Sequence, residues 1–535
     1  MTLTPLRRVL LLNPPTGLYR RDDRCQCTVE DQTVQIVFPP MELAMAAACA
    51  ERSGALCRIE DYPATRRGWN EYIADLKEFM PDLLVVSSTT ATLKGDIETC
   101  RLAKEANPAV ITAVKGETVV HNAIDVLSDH PEIDLILPNE SEESVEELVN
   151  GAPPTEVRGL HFRAELLERL GLERTPNCTA PVKKSQTSRI AAKREERESA
   201  AAPAAVAEAP AGILFSGKRV LREDLDSLPF PARHLLLNKV YISPETSNPL
   251  TVVHGNRGCP AKCIYCPAGL LTDYSVRSRS VESVIAELKE CVNRYGIREF
   301  LFHGDTFTIN KRWLLQLCQA IRDEKLDIHW GCNSRVDTMD DERAAAMKAA
   351  GCWVVAFGIE SGDQDMLDKM RKNATLDQAR NAVAVCKRAG LRVHSFMVVG
   401  LPWETWETIE RTYRFVEELD PDFFDFNIAT PLPGTELHEI ALRENLFEEG
   451  YDPSRAGYAH GALKTLSGIS SAELMEWRRK ALLRMYLRPK YIARMLTKAG
   501  GPTQTFNYIK AGAKRLRQLT IAKRQTAAAE AMQGA

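Results

Sequence analysis

Three cysteines are clustered near the middle of the 535-residue chain, at Cys259, Cys263 and Cys266. Their spacing is C-x3-C-x2-C, and glycines flank the loop that carries them. A structural zinc site takes four ligands, but no fourth Cys or His follows at a paired spacing, and His254 is predicted to lie in a strand. A redox C-x-x-C pair would leave Cys259 without a role. Three thiolates can instead hold a four-iron cluster and leave one iron open for a chelating substrate.

An aromatic residue, Tyr265, precedes the third cysteine, and the whole segment resembles the signature of the radical S-adenosylmethionine (SAM) superfamily. The resemblance implies a four-iron, four-sulfur (4Fe–4S) cluster whose open iron binds the amino and carboxylate groups of SAM. It also implies that one electron from the reduced cluster cleaves SAM to a 5′-deoxyadenosyl radical. The alternative interpretation is a set of buried or zinc-binding cysteines.

Four later segments, each at the end of a predicted strand, resemble motifs of the cobalamin-binding radical SAM enzymes. The segment around Asp305 resembles F-x-D-D-x-F-T, with Gly304 in place of the first Asp. Glu360 and Ser361 lie in a segment that resembles the fourth-strand motif. The segments G-L-P-W-E-T and P-L-P-G-T resemble the fifth-strand and sixth-strand motifs. The resemblance implies that Asp305, Glu360 and Ser361 contact SAM, although each segment alone is also compatible with a structural turn or cap.

Polar loops follow the predicted strands of residues 1–150, at the edge where parallel sheets bind ligands. These loops suit a large polar ligand, or they are ordinary surface turns. The segments N-P-P, P-P-M-E-L-A and N-E resemble the cobalamin-binding domain of the same enzymes. The motif D-x-H-x-x-G is absent, so we expect no axial histidine from this chain on the cobalt. The resemblance implies cobalamin contacts at Asn13, Ser87, Thr89, Gly116 and Glu140.

Predicted strands and helices alternate in two parts of the chain, which indicates an α/β protein. The first part predicts a doubly wound parallel sheet with strands at Val9–Leu12, Cys57–Asp61, Leu83–Ser88, Ala109–Val114 and Leu135–Leu137. The second predicts a partial (β/α)6 barrel of the TIM type, with strands at Thr251–His254, Glu299–His303, Ile328–Asn333, Trp353–Gly358, Val393–Gly400 and Phe423–Thr430. The cysteine cluster follows the first barrel strand, where barrels place their chemistry.

Four segments follow from this alternation. We expect a cobalamin-binding domain at 1–150, a linker hairpin at 151–237, a radical SAM core at 238–436 and a basic, mainly helical region at 437–535. Residues from about 175–211 are rich in Lys, Arg, Glu, Ala, Ser and Pro. They can bury too little apolar surface to offset the entropy of ordering. We therefore predict a disordered insertion in the hairpin loop.

Bulk composition limits the location of the protein. Hydrophobic residues make up 44% and charged residues 26%, and the net charge is −3, so no global field attracts nucleic acid or membrane. No apolar stretch is long enough to span a bilayer, and Val9–Leu12 is too short for a signal peptide. We expect a cytoplasmic protein. The scattered cysteines among the 14 are then small buried side chains rather than a disulfide framework.

The C-terminal region is basic, with 14 Lys or Arg from Arg478 onward and one acid, Glu530. A stretch near residues 484–492 resembles a branch that includes the anaerobic oxidative cyclase of bacteriochlorophyll synthesis and enzymes of hopanoid-type lipids. One interpretation is peripheral contact with the inner face of the membrane. The other is a solvated basic face on packed helices. Nucleic acid is not an expected partner, because the region has no RNA-binding motif.

Two classes of reaction remain open. In the first, the enzyme is a cobalamin-dependent methyltransferase that methylates an unactivated carbon of a small-molecule or lipid-like substrate. In the second, the same parts oxidise, cyclise or couple a lipid or tetrapyrrole without methyl transfer. Both classes need an electron donor such as flavodoxin or ferredoxin. The residue pattern does not single out a catalytic acid, base or hydrogen donor.

Overall fold

The structure is a computed structural model, and it describes residues 3–21, 28–29, 35–173, 178, 212–451, 461–498 and 501–533. Its strands form two large sheets and a two-stranded ribbon. Strands β1 to β7 build the first sheet, at Arg8–Asn13, Leu56–Asp61, Leu83–Ser87, Ile111–Lys115, Leu135–Ile136, His161–Arg163 and Ile213–Phe215. The ribbon consists of β9 and β10, at Asn256–Arg257 and Arg277–Ser278. The second sheet contains β8 and β11 to β15, at Leu250–His254, Glu299–His303, His329–Ser334, Cys352–Glu360, Arg392–Val399 and Phe423–Ile428.

The first sheet has the strand order β2-β1-β3-β4-β5-β6-β7. Strands β1 to β5 run parallel, and fully buried runs such as those of β3 and β4 fit a sheet covered on both faces. β6 and β7 pair antiparallel and add the predicted hairpin to the edge beside β5. Apart from Cys178, the predicted disordered insertion at about 175–211 lies outside the described residues. The domain bounds remain predictions.

Helices connect the strands of the first sheet. The helix Met41–Arg52 has nine buried residues, which pack against the sheet and against the helix Glu142–Val149, and it ends before Ser53 and Gly54. Its alanine-rich sequence allows close packing on the strands. The other helices of this part are Tyr62–Thr65, Trp69–Phe79, Leu93–Ala106, Glu117–His121, Ala123–Asp129, Glu142–Val149 and Ala164–Arg169.

The second sheet is fully parallel and has the order β15-β14-β13-β12-β11-β8. Five connecting helices begin at caps whose side chains accept a backbone hydrogen bond: Ser280, Asn310, Asp340, Thr375 and Thr405. These helices are Val281–Tyr295, Lys311–Asp323, Asp341–Ala349, Leu376–Arg388 and Trp406–Leu419. Shorter helices lie at Ala268–Leu271, Gln364–Lys369 and Glu436–Arg443. The structure therefore confirms the predicted partial (β/α)6 barrel.

Alternate side chains of the barrel strands have different environments. Those that face the helices, such as Val253, Phe302 and Val355, are buried in the largest apolar core. Those that face the barrel interior are half-buried, and they include His254, His303, Asn333, Ala356, His394, Phe396 and Asn427. The side chains that face the interior therefore remain partly exposed on all six strands.

Three C-terminal helices span Ser471–Tyr486, Pro489–Thr497 and Pro502–Gln533. The first packs along β15, where Arg478 donates to the Phe426 carbonyl at 2.5 Å. The other two lie at the floor, which is the end of the barrel where the strands begin. Glu245 in the floor is 5% exposed and receives hydrogen bonds from Arg392 at 2.7 Å and Gln504 at 2.5 Å, and from Tyr508. Arg494 forms an ion pair with Asp420 at 2.6 Å. Part of the basic surface is thus used for packing. Among the described residues, no helix is long and apolar enough to cross a membrane.

Candidate active site

The cysteine loop (residues 258–267) follows β8 and β9 at the open end of the barrel. Its three cysteines are half-buried, and none of the described cysteines forms a disulfide. Backbone hydrogen bonds anchor the loop to two short helices: the N–H of Ile264 donates to the Met370 carbonyl at 3.1 Å, and the N–H of Leu437 donates to the Ile264 carbonyl at 2.9 Å. The loop therefore presents three thiols from a fixed backbone.

Asp305 lies beside the cysteine loop and supports it. Its carboxylate accepts a hydrogen bond from the N–H of Gly258 at 2.8 Å, and the hydroxyl of Thr306 lies 3.8 Å from the sulfur of Cys259. Asp305 thus fixes the backbone directly before the first cysteine. The direct contact of Asp305 with SAM remains a prediction.

Gly258 has no room for a side chain. Its φ is +99°, and a Cβ would overlap the carbonyl oxygen of Ser275. We expect Gly258→Ala to displace the cysteine loop and to lower the iron content after anaerobic reconstitution by more than about half, because the strain is about 1–3 kcal/mol before any clash. The measurement is iron per chain by mass spectrometry. Gly296→Ala is the control, since Gly296 also has a positive φ of +68° but nothing within 4 Å of a Cβ. Equal iron in both variants would contradict this account.

The structure explains why glycine stands at position 304. A Cβ on Gly304 would overlap the side chain amide of Asn256. That amide is buried, and its nitrogen donates to the Thr306 carbonyl at 3.4 Å. Asn256 thus occupies the space that an Asp at position 304 would need. The sequence did not predict a role for Asn256, because nothing in the pattern places β9 against the loop after β11.

Glu360 ends β13 in an unusual backbone conformation, with a φ of +71°. Its carboxylate accepts a hydrogen bond from the buried ammonium of Lys372 at 2.7 Å, and Tyr265 forms a side-chain hydrogen bond with it. Burial, and then the Glu360 charge, raise the pKa of Tyr265 well above its usual value. Strain at a buried carboxylate next to the cysteine loop is typical of a functional site. The SAM contact at Glu360 remains a prediction.

A second polar cluster follows Glu360. Ser361 is fully buried, and its hydroxyl lies 3.2 Å from the hydroxyl of Thr412 and accepts from the N–H of Asp363 at 3.2 Å. These bonds fasten the turn after β13 to the helix Trp406–Leu419. The structure thus shows a packing role for Ser361. Its contact with SAM remains a prediction.

Glu404, in the loop after β14, is fully buried. It accepts hydrogen bonds from the N–H groups of Gly400 at 2.5 Å and Leu401 at 2.9 Å, while Oε1 has no hydrogen-bond partner among the described residues. Thr405, rather than Glu404, caps the following helix. Burial raises the pKa of Glu404 to about 8.

This raised pKa predicts a pH-dependent stability. The folded state holds a proton that the unfolded chain releases above its usual pKa of 4.5, so stability falls as the pH rises from about 5 to about 8. Glu404→Gln stays neutral and is expected to gain several degrees of thermal midpoint over the wild type across that range. The midpoint difference is measured by differential scanning fluorimetry. Glu407→Gln, at a mostly exposed position, is the control, and a difference that is constant with pH would refute the prediction.

The strand ends of the first sheet form a second polar edge. Asn13 ends β1, and its side-chain oxygen is buried without a hydrogen-bond partner among the described residues. The same is true of Asn139, which follows β5. Gly116, after β4, approaches the Ser88 carbonyl so closely that a Cβ would overlap it. Two unsatisfied acceptors and a close backbone approach on one edge are the features expected of a ligand site.

Ser87 and Thr89 border a buried ion pair that the sequence did not reveal. Arg21 and Asp96 lie 2.8 Å apart, and both side chains are almost fully buried. Arg21 also donates to the Ser87 carbonyl at 2.6 Å. The hydroxyl of Thr89 lies 2.9 Å from that of Thr92 in the same network. Arg21 was missed because it lies 75 residues from Asp96 in the sequence.

Ion pairs hold this polar edge against the barrel. Arg277 of β10 forms a two-pronged ion pair with Glu140. Arg257 of β9 lies 3.2 Å from Glu140 and 2.5 Å from Glu142. Burial alone would raise the pKa of Glu142, but the charge of the Arg257 guanidinium and its hydrogen bond oppose this effect, and the pKa of Glu142 is lowered. Glu140 therefore joins the two sheets, and its predicted contact with cobalamin remains a prediction.

Comparison with known proteins decides the family. The model of the radical SAM superfamily matches residues 253–416, which include all three clustered cysteines. A protein of Pyrococcus horikoshii named as an uncharacterized methyltransferase is 30% identical over 492 residues, which are 91% of this chain and 94% of that protein. This chain belongs to the radical SAM superfamily. The resemblance predicted from the cysteine spacing is confirmed.

Other relatives have more specific names. The cytidylyl-2-hydroxyethylphosphonate methyltransferase of Streptomyces wedmorensis is 25% identical over 88% of both chains. An anaerobic magnesium-protoporphyrin IX monomethyl ester cyclase of Rubrivivax gelatinosus is 27% identical over 71% of this chain and 61% of its own. The relatives thus include both methyltransferases and a cyclase.

Two solved structures share the whole arrangement. The radical SAM methyltransferase TsrM from Kitasatospora setae, with cobalamin and a 4Fe–4S cluster bound, matches with a TM-score of 0.63 and 15% identity over 96% of this chain and 100% of its own. OxsB, a cobalamin-dependent SAM radical enzyme, matches with 0.65 and 14% identity over 97% of this chain and 72% of its own. This radical SAM enzyme therefore has the predicted fold, a cobalamin-domain-like sheet joined to a partial barrel.

The thiols of this radical SAM enzyme fit a cluster better than a single ion. Among the described residues, no group of three His, Cys, Asp or Glu side chains is placed to hold one metal ion. In a 4Fe–4S cluster each thiolate binds its own iron, so the thiolates lie further apart. Burial raises the pKa of Cys263, while Lys372 and Arg335 oppose this effect. The positive charges of Lys372 and Arg335 favour the thiolate form that binds iron.

Proposed function

We propose that this radical SAM enzyme binds cobalamin and methylates an unactivated carbon of a small-molecule or lipid-like substrate. The observation that carries the proposal is the double ion pair of Glu140 with Arg257 and Arg277, which joins the polar edge of the first sheet to the ribbon strands before and after the cysteine loop. A cobalamin bound at the polar edge of the first sheet would then face a cluster and SAM bound at the cysteine loop. The relatives named as methyltransferases support methyl transfer over other radical chemistry.

Some residues of the site would bind the cofactors, and others position the residues that do so. The bound groups would supply an electron and a radical at the cluster, and a transferable methyl group at the cobalt. Cys259, Cys263 and Cys266 would hold the cluster by three thiolates. Asp305 positions the loop through Gly258. The buried oxygens of Asn13 and Asn139 would accept hydrogen bonds from the amide groups on the rim of a cobalamin.

The partly exposed interior of the barrel would receive the substrate. Its wall includes His394, whose Nε2 lies 2.9 Å from the buried carboxylate of Asp425. The rings of Phe396 and Phe423 lie 4.3 Å and 5.9 Å from the His394 ring. This pairing leaves Nδ1 of His394 for a polar group of the substrate. The interior thus suits a substrate with an apolar body and a polar group.

Gly116→Val tests the cobalamin site without the need for a substrate. The added side chain would collide with the Ser88 carbonyl and displace the loop after β4. We expect at least about a tenfold loss of hydroxocobalamin affinity, with iron content and SAM cleavage retained. Cobalamin per chain is measured by its visible absorbance. Gly171→Val, at a glycine with nothing within 4 Å of a Cβ, is the control, and unchanged cobalamin in Gly116→Val would refute the site.

One relative is named as a cyclase, which supports the alternative class of reaction, oxidation, cyclisation or coupling without methyl transfer. Product analysis separates the two. The reconstituted enzyme is incubated with a reductant, SAM that carries a deuterated methyl group, and small molecules and lipids extracted from its host cells. Methyl transfer gives a deuterated product and S-adenosylhomocysteine beside 5′-deoxyadenosine. If substrate is consumed with 5′-deoxyadenosine alone, the enzyme belongs to the second class.

A further inference from the structure

Large apolar side chains are exposed at the barrel floor, on the C-terminal helices. Five of them lie within 23 residues, and their exposed fractions range from 42% to 64%: Leu487, Ile492, Leu496, Phe506 and Ile509. Exposed apolar side chains that form one patch mark an interaction site, whereas singly scattered ones are normal. We call these residues, together with Lys490, Lys510 and Lys514, the floor surface.

The last helix has two different faces over its first four turns. At about 3.6 residues per turn, Gln504 and Tyr508 share the face that bonds Glu245 in the barrel floor. Phe506 and Ile509 lie on the other side and are 64% and 57% exposed. Exposed Lys510, Ala513 and Lys514 continue that outer face. The apolar side chains therefore point away from the barrel, with lysines beside them.

The preceding helix, Pro489–Thr497, is oriented in the same manner. Its inner face is fixed by buried Tyr491 and by Arg494, which donates to the Pro421 carbonyl at 2.6 Å. Ile492 and Leu496, one turn apart, are 44% and 42% exposed. Both helices thus cover the same end of the barrel and turn their apolar side chains outward.

From residue 477 to residue 529 the C-terminal helices themselves carry charge of one sign, since the sequence contains no Asp or Glu between Glu476 and Glu530. Lys490 has an 80% exposed side chain and lies 3.2 Å from the Asp420 carboxylate of the barrel floor. Among the described residues, Lys510 and Lys514 of the last helix form no ion pair. Apolar side chains bordered by these lysines complement the boundary of an anionic bilayer.

An electron donor does not fit this surface. The cysteine loop lies at the opposite end of the barrel, and strands of five to nine residues separate the two ends. At about 3.3 Å per residue they span roughly 20 Å, so a donor on the floor would be far from the cluster. We propose that the floor surface seats the enzyme on an anionic lipid bilayer. This inference goes beyond the proposed reaction and does not depend on it.

Vesicle sedimentation with the full-length protein tests the proposal. The vesicles contain phosphatidylcholine alone or phosphatidylcholine mixed with phosphatidylglycerol. We expect the wild type to sediment with the mixed vesicles and not with the neutral ones. The double variants Phe506→Ser with Ile509→Ser, and Lys510→Glu with Lys514→Glu, are each expected to lower the binding constant at least about tenfold. Val220→Ser, at an 88% exposed apolar residue elsewhere, should bind like the wild type.

Several results would overturn the proposal. They are no sedimentation of the wild type, equal binding to neutral vesicles, or unchanged binding of both double variants. Light scattering on the same samples adds a further outcome: if the wild type is a dimer and the serine variant a monomer, the floor surface is a contact between two copies. Circular dichroism and SAM cleavage, both expected to be unchanged, show that the variants are folded.

Discussion

The Cys263→Ala variant is expected to bind less than about one iron atom per chain after anaerobic reconstitution, compared with about four for the wild type. Cys263 is the middle ligand of the proposed trio, and two thiolates cannot hold three corners of a cluster. SAM cleavage should fall to the level of a reaction without enzyme, because the electron and the binding site for SAM are lost together. Iron and sulfide analysis and chromatography of 5′-deoxyadenosine measure the two effects.

Cys318→Ala is the matched control for this prediction. Cys318 is buried in the helix Lys311–Asp323, and its substitution removes a sulfur from the apolar core without touching the cysteine loop. We expect a loss of about 1 kcal/mol in stability and no loss of iron. If Cys263→Ala kept its iron, or if both variants lost it equally, the assignment of the cluster to this loop would be wrong.

Glu140→Ala is expected to impair methyl transfer while SAM cleavage continues. Its loss leaves Arg277, which is 3% exposed, without its carboxylate partner. Removing one partner of a buried ion pair costs about 3–5 kcal/mol. We therefore expect a lower thermal midpoint and a displaced first sheet. Methyl transfer should fall by more than about a hundredfold, while SAM cleavage continues at the intact cysteine loop.

The ratio of S-adenosylhomocysteine to 5′-deoxyadenosine measures this uncoupling. Glu143→Ala is the control, because Glu143 pairs with Arg222 nearby but both side chains are partly exposed. Such pairs contribute about 0–1 kcal/mol. A Glu140→Ala variant that lost both activities in proportion would indicate general unfolding and would contradict the role of Glu140 as a joint between the sheets.

Much of the fold was predictable because local signals and burial agree. The helices Val281–Tyr295 and Lys311–Asp323 begin directly after Ser280 and Asn310, whose side chains cap them, and such capping residues can be recognised in a sequence. The strands were found because sheets covered on both faces require apolar runs. The C-terminal ends of parallel strands share an edge, so the segments of Asp305 and Glu360, which were predicted at strand ends, lie on the side of the barrel that carries the cysteine loop.

The remaining features depend on contacts between distant parts of the chain. Arg257 and Arg277 meet Glu140 over more than a hundred residues of sequence, and no periodicity encodes such a pairing. Lys372 pairs with Glu360 because the strained end of β13 turns the carboxylate toward it. The apolar face on the last helix was also hidden, because only the packing of Tyr508 decides which side of that helix is exposed.

We infer that the three thiolates leave one iron of the cluster open for SAM. Electron–nuclear double resonance on the reduced wild-type protein, with SAM labelled isotopically at its amino nitrogen and carboxylate oxygens, tests it most directly. We predict that both labels couple to the cluster, since an open iron would bind these two groups. A cluster that forms but shows no coupling to either label would contradict the account.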